Sequence, residues 1–79
     1  LEDLKRHLNE KVKVFGRVHD IDRYGSVTKI WIGQDGLKIP VVLFDDVKVE
    51  KGDVLEVRGK VTLYRGRLEI LADEIRRIG

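Results

Sequence analysis

His19-Asp20-Ile21-Asp22 is the one place in the sequence where side chains of metal-ligand type crowd together. Structural metal sites draw on cysteine and clustered histidine, and two histidines with no cysteine cannot close such a site unaided. The run therefore reads as a solvated strand end. Ser26 has no base at a supporting spacing, no cysteine offers a thiolate, and no glycine-rich loop is shaped to cradle phosphate. Asp45-Asp46 and Asp73-Glu74 read as solvated charge. No enzyme, cofactor or metal is expected. What remains is aromatic and cationic: Lys29 two residues before Trp31, Arg23 before Tyr24, and Tyr64 ahead of Arg65 and Arg67. Flat rings offer π faces for stacking and lysine or arginine holds anions, so this pairing suits a planar, anionic ligand.

These side chains need strands to hold them. In GDVLEVRGKVTLYRGRLEIL, residues 52–71, Leu55, Val57, Val61 and Leu63 share one face with Gly59, while Glu56, Arg58, Lys60 and Thr62 take the other. That is the period-2 pattern of a half-buried strand. With Arg65-Gly66 as a two-residue turn, Leu63 falls opposite Leu68, Val61 opposite Ile70 and Tyr64 opposite Arg67. Residues 27–33 and 37–44 form a second hairpin around Asp35-Gly36, a strong turn signal. Ile30, Ile32, Ile39 and Val41 then point inward. Trp31, Pro40, Lys29, Val42, Phe44 and Lys38 point outward, an unusually apolar outer face between lysines. Pro40 lacks an amide proton and must sit where its strand makes no ladder bond.

Residues 12–21 open the sheet with Val12, Val14, Gly16 and Val18 in phase, and a glycine in mid-strand predicts a bulge or sharp coil at Gly16. Residues 22–26 are expected as a loop and 45–51 as a short charged connection. Leu1, Leu4 and Leu8 recur at helical spacing, with Glu2 and Asp3 early and Lys11 late, which predicts a short N-terminal α-helix over residues 1–10. Such a helix is too short to stand alone and must lay its leucines on the barrel or a neighbour. Phe15 reads as structural, under that helix or between sheets. Ile75 and Ile78 are expected as the last apolar anchors.

Composition narrows the setting. Seventy-nine residues make one domain, and without cysteine the core alone must hold it. An intracellular protein is expected, with no apolar run of about 18 residues to span a membrane and no leader. Leu1 in place of an initiator methionine suggests a piece excised from a longer protein. Charged residues make up 38% of the chain against about 25% in ordinary domains, and methionine is absent. That profile resembles heat-adapted proteins, and engineering would leave the same mark. Net charge is only +2, so any anion binding depends on where the charges are placed.

A long glycine-broken strand, a hairpin, a short connector and a second hairpin describe an all-β, five-stranded Greek-key barrel. VKVFGRV at 12–18, GDVLEVRGKV at 52–61, YRGRLEI at 64–70 and ADEIRRI at 72–78 resemble the OB-fold nucleic-acid-binding family, as in anticodon-binding domains and archaeal relatives of replication protein A. The likeness covers nearly the whole chain, with the barrel at 12–78. Members often place a helix between strands 3 and 4; residues 45–51 hold at most a turn, and the N-terminal helix is expected to serve instead.

The resemblance implies a ligand across the outer face of strands 2 and 3. On that mapping the face brings Lys29, Trp31, Lys38, Val42 and Phe44. The first loop brings Arg23 and Tyr24, the second Tyr64, Arg65 and Arg67, and strand 1 adds Arg17 and His19. It implies single-stranded DNA, or RNA second, held by stacking and phosphate contacts with weak sequence preference. Without a basic recognition helix, duplex reading is not expected. Trp31 has a second reading, as a face that docks an adjoining domain or protein subunit, and Val42 with Phe44 would fit that equally.

Overall fold

The computed structural model describes residues 4–34 and 36–79. Leu1, Glu2, Asp3 and Asp35, on which the leucine stripe and the Asp-Gly turn partly rest, lie outside the described residues. Alternation of apolar side chains produces β1 (Lys11–Tyr24), β2 (Val27–Gln34), β3 (Leu37–Leu43), β4 (Val54–Tyr64) and β5 (Arg67–Arg77). They close into a barrel in the order β1-β2-β3-β5-β4. Among the described residues no helix is long and apolar enough to cross a membrane.

Both hairpins keep the register that their alternation demands. Ile32 faces Ile39, Trp31 faces Pro40 and Ile30 faces Val41, and in the other hairpin Leu63 faces Leu68 and Val61 faces Ile70. The inward set, with Ile30, Ile32, Val41, Leu55, Val57, Val61 and Ile70 sealed from solvent, forms one core. Burying each such side chain stabilises the fold by about 1.5–3 kcal/mol. At Gly59 an added Cβ would fall 2.4 Å from the Leu71 carbonyl oxygen and 2.7 Å from the Ala72 Cα. The β4–β5 ladder slips there, between Arg58 and Gly59, and only glycine lets β5 pass so close.

Closure is uneven. β3 and β5 run parallel and pair only at Val41↔Ile70 and Val42↔Leu71. The first half of β3 and the start of β5 therefore part, and a hollow opens between them.

Several expectations are corrected. The N-terminal α-helix is a single 3-10 turn, Leu4–His7. The Glu10 amide donates to the His7 carbonyl at 2.8 Å, Asn9 takes a left-handed φ of 68°, and its amide donates to the Val61 carbonyl at 2.7 Å. Docking onto β4 outweighs an α-helix too short to propagate. Leu4 is nonetheless buried and Leu8 packs on the core. The bulge is not at Gly16 but at His19, where the β1–β2 register slips between Val18 and Asp20. Gly16 instead permits close packing, since a Cβ there would lie 3.0 Å from the Ile32 Cβ. The expected loop at 22–26 is strand up to Tyr24, because Ile21 returns to the inward phase opposite Ile30, leaving a two-residue turn. Phe15 is not covered: it is 40% exposed on the outer face. Leu63 is 54% exposed because the hairpin runs past the barrel, and Ile78 is exposed at the chain end. The 44–53 connection is more than charge. Val49 is buried and Val47 packs beside the core, while Thr28 Oγ donates to the Asp45 carbonyl at 2.8 Å.

Candidate nucleic-acid interface

Trp31 stands at the centre of the outer face because Ile30 and Ile32 claim the core on either side. Its neighbour across the ladder is Pro40, whose missing amide is tolerated where β3 parts from β5. The half-buried indole donates its Nε1–H to Asp22 Oδ2 at 3.3 Å, which fixes the ring plane. Lys29 lies above the ring, its ammonium 4.8 Å from the centroid, and reaches Glu69 Oε2 at 3.6 Å. Glu69 shares the outer face of β5 with Arg67 and is only 9% exposed. Platform, cation and carboxylate thus hold one another in place before any ligand arrives.

Around this centre is a hollow of about 860 Å³. Trp31, Lys29 and Lys38 form one side, and the hairpin tip Tyr64-Arg65-Gly66-Arg67 forms the other. Arg65 and Gly66 both take positive φ, 52° and 79°, the two-residue turn that matches strand twist. That geometry throws the Arg65 guanidinium over the Tyr64 ring at 5.4 Å. A second, smaller hollow of about 440 Å³ adjoins it, sharing Lys29, Tyr64 and Glu69 and adding Tyr24, Val42 and Phe44.

The residues singled out from sequence divide accordingly. Lys29, Trp31, Lys38, Tyr64, Arg65 and Arg67 meet in the first hollow, and Tyr24 and Val42 lie in the second. Arg17, His19 and Arg23 line neither. Arg17 Nη1 donates to the Gly52 carbonyl at 2.8 Å, and Arg23 donates to the Val47 carbonyl at 3.2 Å and pairs with Asp46 at 3.6 Å. The His19 ring rests on Gly33. The acids of the His19-Asp20-Ile21-Asp22 run diverge, Asp20 toward Lys51 and Asp22 toward Trp31. Among the described residues no three His, Cys, Asp or Glu side chains are grouped to hold a metal ion.

Sequence reasoning missed Lys5, Leu4 and Glu69 in the first hollow and Leu63 and Leu71 in the second. Lys5 had no signal, because only the 3-10 turn swings it to this rim. Glu69 had a partial one: period-2 alternation placed it outward, but only the approach of β3 buries it. The first hollow gathers five cations, Lys5, Lys29, Lys38, Arg65 and Arg67, against one carboxylate, Glu69. Its net +4, in a chain of net +2, marks it as the electropositive pole of the described surface.

The backbone is shared by known proteins. The chain superposes with a TM-score of 0.78 and 22% identity on a chain of the Schizosaccharomyces pombe Stn1–Ten1 complex, covering 86% of this chain and 57% of that one. A chain of a replication protein A heterotrimer bound to single-stranded DNA gives 0.80 at 16% identity, with the same coverage. Asparaginyl-tRNA synthetase from Pyrococcus horikoshii gives 0.79 at 20% identity, over 92% of this chain and 20% of that enzyme. The chain thus spans little more than half of the first two of these chains and a fifth of the third. A search of curated protein sequences found no match. The model of the OB-fold nucleic acid binding domain matches residues 12–78, which takes in all five strands but for Lys11, both hairpins and nearly every side chain of the two hollows; the chain belongs to that family.

Proposed function

We propose that the domain is a non-catalytic module that binds single-stranded nucleic acid in an intracellular setting, DNA ahead of RNA, with little sequence preference. One observation carries this reading: a half-buried tryptophan and an exposed tyrosine share a hollow in which five cations face one carboxylate. A single strand needs both halves of that chemistry. Bases stack on rings for about 1–3 kcal/mol each, and cations neutralise phosphates in a salt-dependent way. The remaining lining is aliphatic, with Leu4, Leu37, Ile39 and Leu68, and gives a 2′-hydroxyl few polar partners, which supports DNA over RNA. The likeness in fold to a chain of a replication protein A heterotrimer bound to single-stranded DNA supports the same reading.

Titration of oligo-dC and oligo-rC with Trp31 fluorescence as the signal tests it at two salt concentrations. Quenching is expected for both, tighter for DNA, with log K falling against log salt at a slope of about −2 to −3. A flat titration at high protein concentration would sink the reading.

A second reading rests on a separate observation. Tyr24, Phe44, Leu63 and Leu71 are all exposed and all line the second hollow, where Lys29 is the one cation among the lining residues and is paired with Glu69. That surface suits the apolar side chains of a partner protein. It predicts mass that rises with concentration, by sedimentation, in the absence of nucleic acid.

A further inference from the structure

The β1 bulge has a chemical consequence on the side of the barrel away from the second hollow. A bulged strand presents two successive residues to the same face, here His19 and Asp20, before Ile21 returns inward. The His19 ring sits against β2 at Gly33, where an added Cβ would fall 2.4 Å from its Cδ2 and 2.5 Å from its Nε2. Glycine at 33 is what admits the ring. Gly33 is paired on one side with Arg17 and on the other with Lys38, and all three residues face outward. Arg17, His19 above Gly33, and Lys38 therefore form one row across three strands, about 10 Å wide at the usual strand spacing. Lys38 is also the rim of the first hollow. The row continues along β1 from Arg17 to Phe15, which is 40% exposed, and on to Lys13, whose ammonium lies 5.9 Å from the Phe15 ring centroid.

Lys13, Arg17 and Lys38 make no ion pair among the described residues, and Arg17 is held to the Gly52 carbonyl beside Asp53. Glu56, across from Phe15, is buried and held by Arg76 at 3.3 Å and Arg58 at 3.6 Å. Asp20 is met by Lys51 at 3.7 Å. An aromatic ring between Lys13 and Arg17, continuous with an electropositive hollow, repeats on β1 the chemistry of Trp31 on β2.

We propose that this row is a second segment of the single-strand surface, on which a strand leaving the Lys38 rim crosses over Gly33 along His19 and Arg17 and stacks a base on Phe15. The inference rests on the reading of the first hollow as a single-strand site. The path from Lys38 to Phe15 is roughly 17 Å. It gives room for several nucleotides beyond the roughly 4 of the first hollow, within the range of one such domain.

The test compares dC4 with dC8 by fluorescence titration, using Phe15→Ala, Phe15→Leu and Arg17→Gln, with Lys60→Ala on the outer face of β4 as control. Phe15→Leu keeps apolar cover over Glu56, so a variant that loses only the ring is available if alanine perturbs folding, which circular dichroism reports. The expected result is a dC8 to dC4 affinity ratio that falls about fivefold or more in the Phe15 variants. In Arg17→Gln the dC8 salt slope is expected to fall by about 0.7, and Lys60→Ala is expected to keep the wild-type ratio. Binding of both lengths with an unchanged ratio in folded Phe15→Leu overturns the second segment and leaves the first hollow standing. Failure of both lengths to bind overturns the two together.

Discussion

On the proposed function, Lys29 occupies the place a base would take. Its ammonium lies over the Trp31 ring and is held there by Glu69, so stacking on that face requires the lysine to swing toward a phosphate. Replacing Glu69 with glutamine removes the tether and the one carboxylate of the hollow while keeping the side chain's shape. Affinity for oligo-dC is expected to rise a few fold, and stability in urea to fall by about 1 kcal/mol, since Lys29 can still reach water along its stem. Fluorescence titration and a urea melt read the two effects. Weaker binding instead would show that Glu69 itself meets the ligand. Trp31's position was legible from the alternation of Ile30, Trp31 and Ile32 and from Pro40 opposite. Its hydrogen bond to Asp22 was not, because that contact depends on a bulge at His19 that shifts β1 by one residue.

The β4–β5 hairpin shows what a strand pattern can reveal and where it stops. Its register followed from apolar faces that match only one way around Arg65-Gly66, and the pairs Leu63↔Leu68 and Val61↔Ile70 hold. The tip's backbone state did not follow. Arg65 sits at a φ of 52°, a region that costs a residue with a Cβ about 1–2 kcal/mol and that asparagine enters more cheaply. Arg65→Asn is therefore expected to raise stability by about 0.5–1 kcal/mol in thermal or urea unfolding. The same change is expected to lower the salt slope of oligonucleotide binding by about 0.7. A gain in stability with a loss of binding separates a turn kept for its charge from one kept for its shape. The N-terminal element misled for an opposite reason. The spacing of Leu4 and Leu8 suits a helix, but the bridge from Leu8 to Val61 draws so short a segment into contact with β4.

At the scale of the whole molecule, the hairpin registers and the core were readable because inward residues alternate along most of each strand. The 3-10 turn, the buried Val49 and the open seam were not, since each depends on contacts between residues far apart in the chain. That seam is where the domain is expected to open first. β1, β2 and β4 are tied by long antiparallel ladders, whereas β3 and β5 share two residue pairs. Amide hydrogen exchange is expected to be faster at Val42 and Leu71 than at Val57 and Val61, because local opening starts where pairing is shortest. Oligonucleotide at saturating concentration is expected to slow exchange at the seam more than elsewhere. A strand held as proposed, from Trp31 to the Tyr64 tip, would span both sides of the gap and act as a suture across it. Occupied and empty domains would then differ less in shape than in lifetime: the ligated barrel rarely unzips, and a protease that waits for the open seam is starved of its substrate.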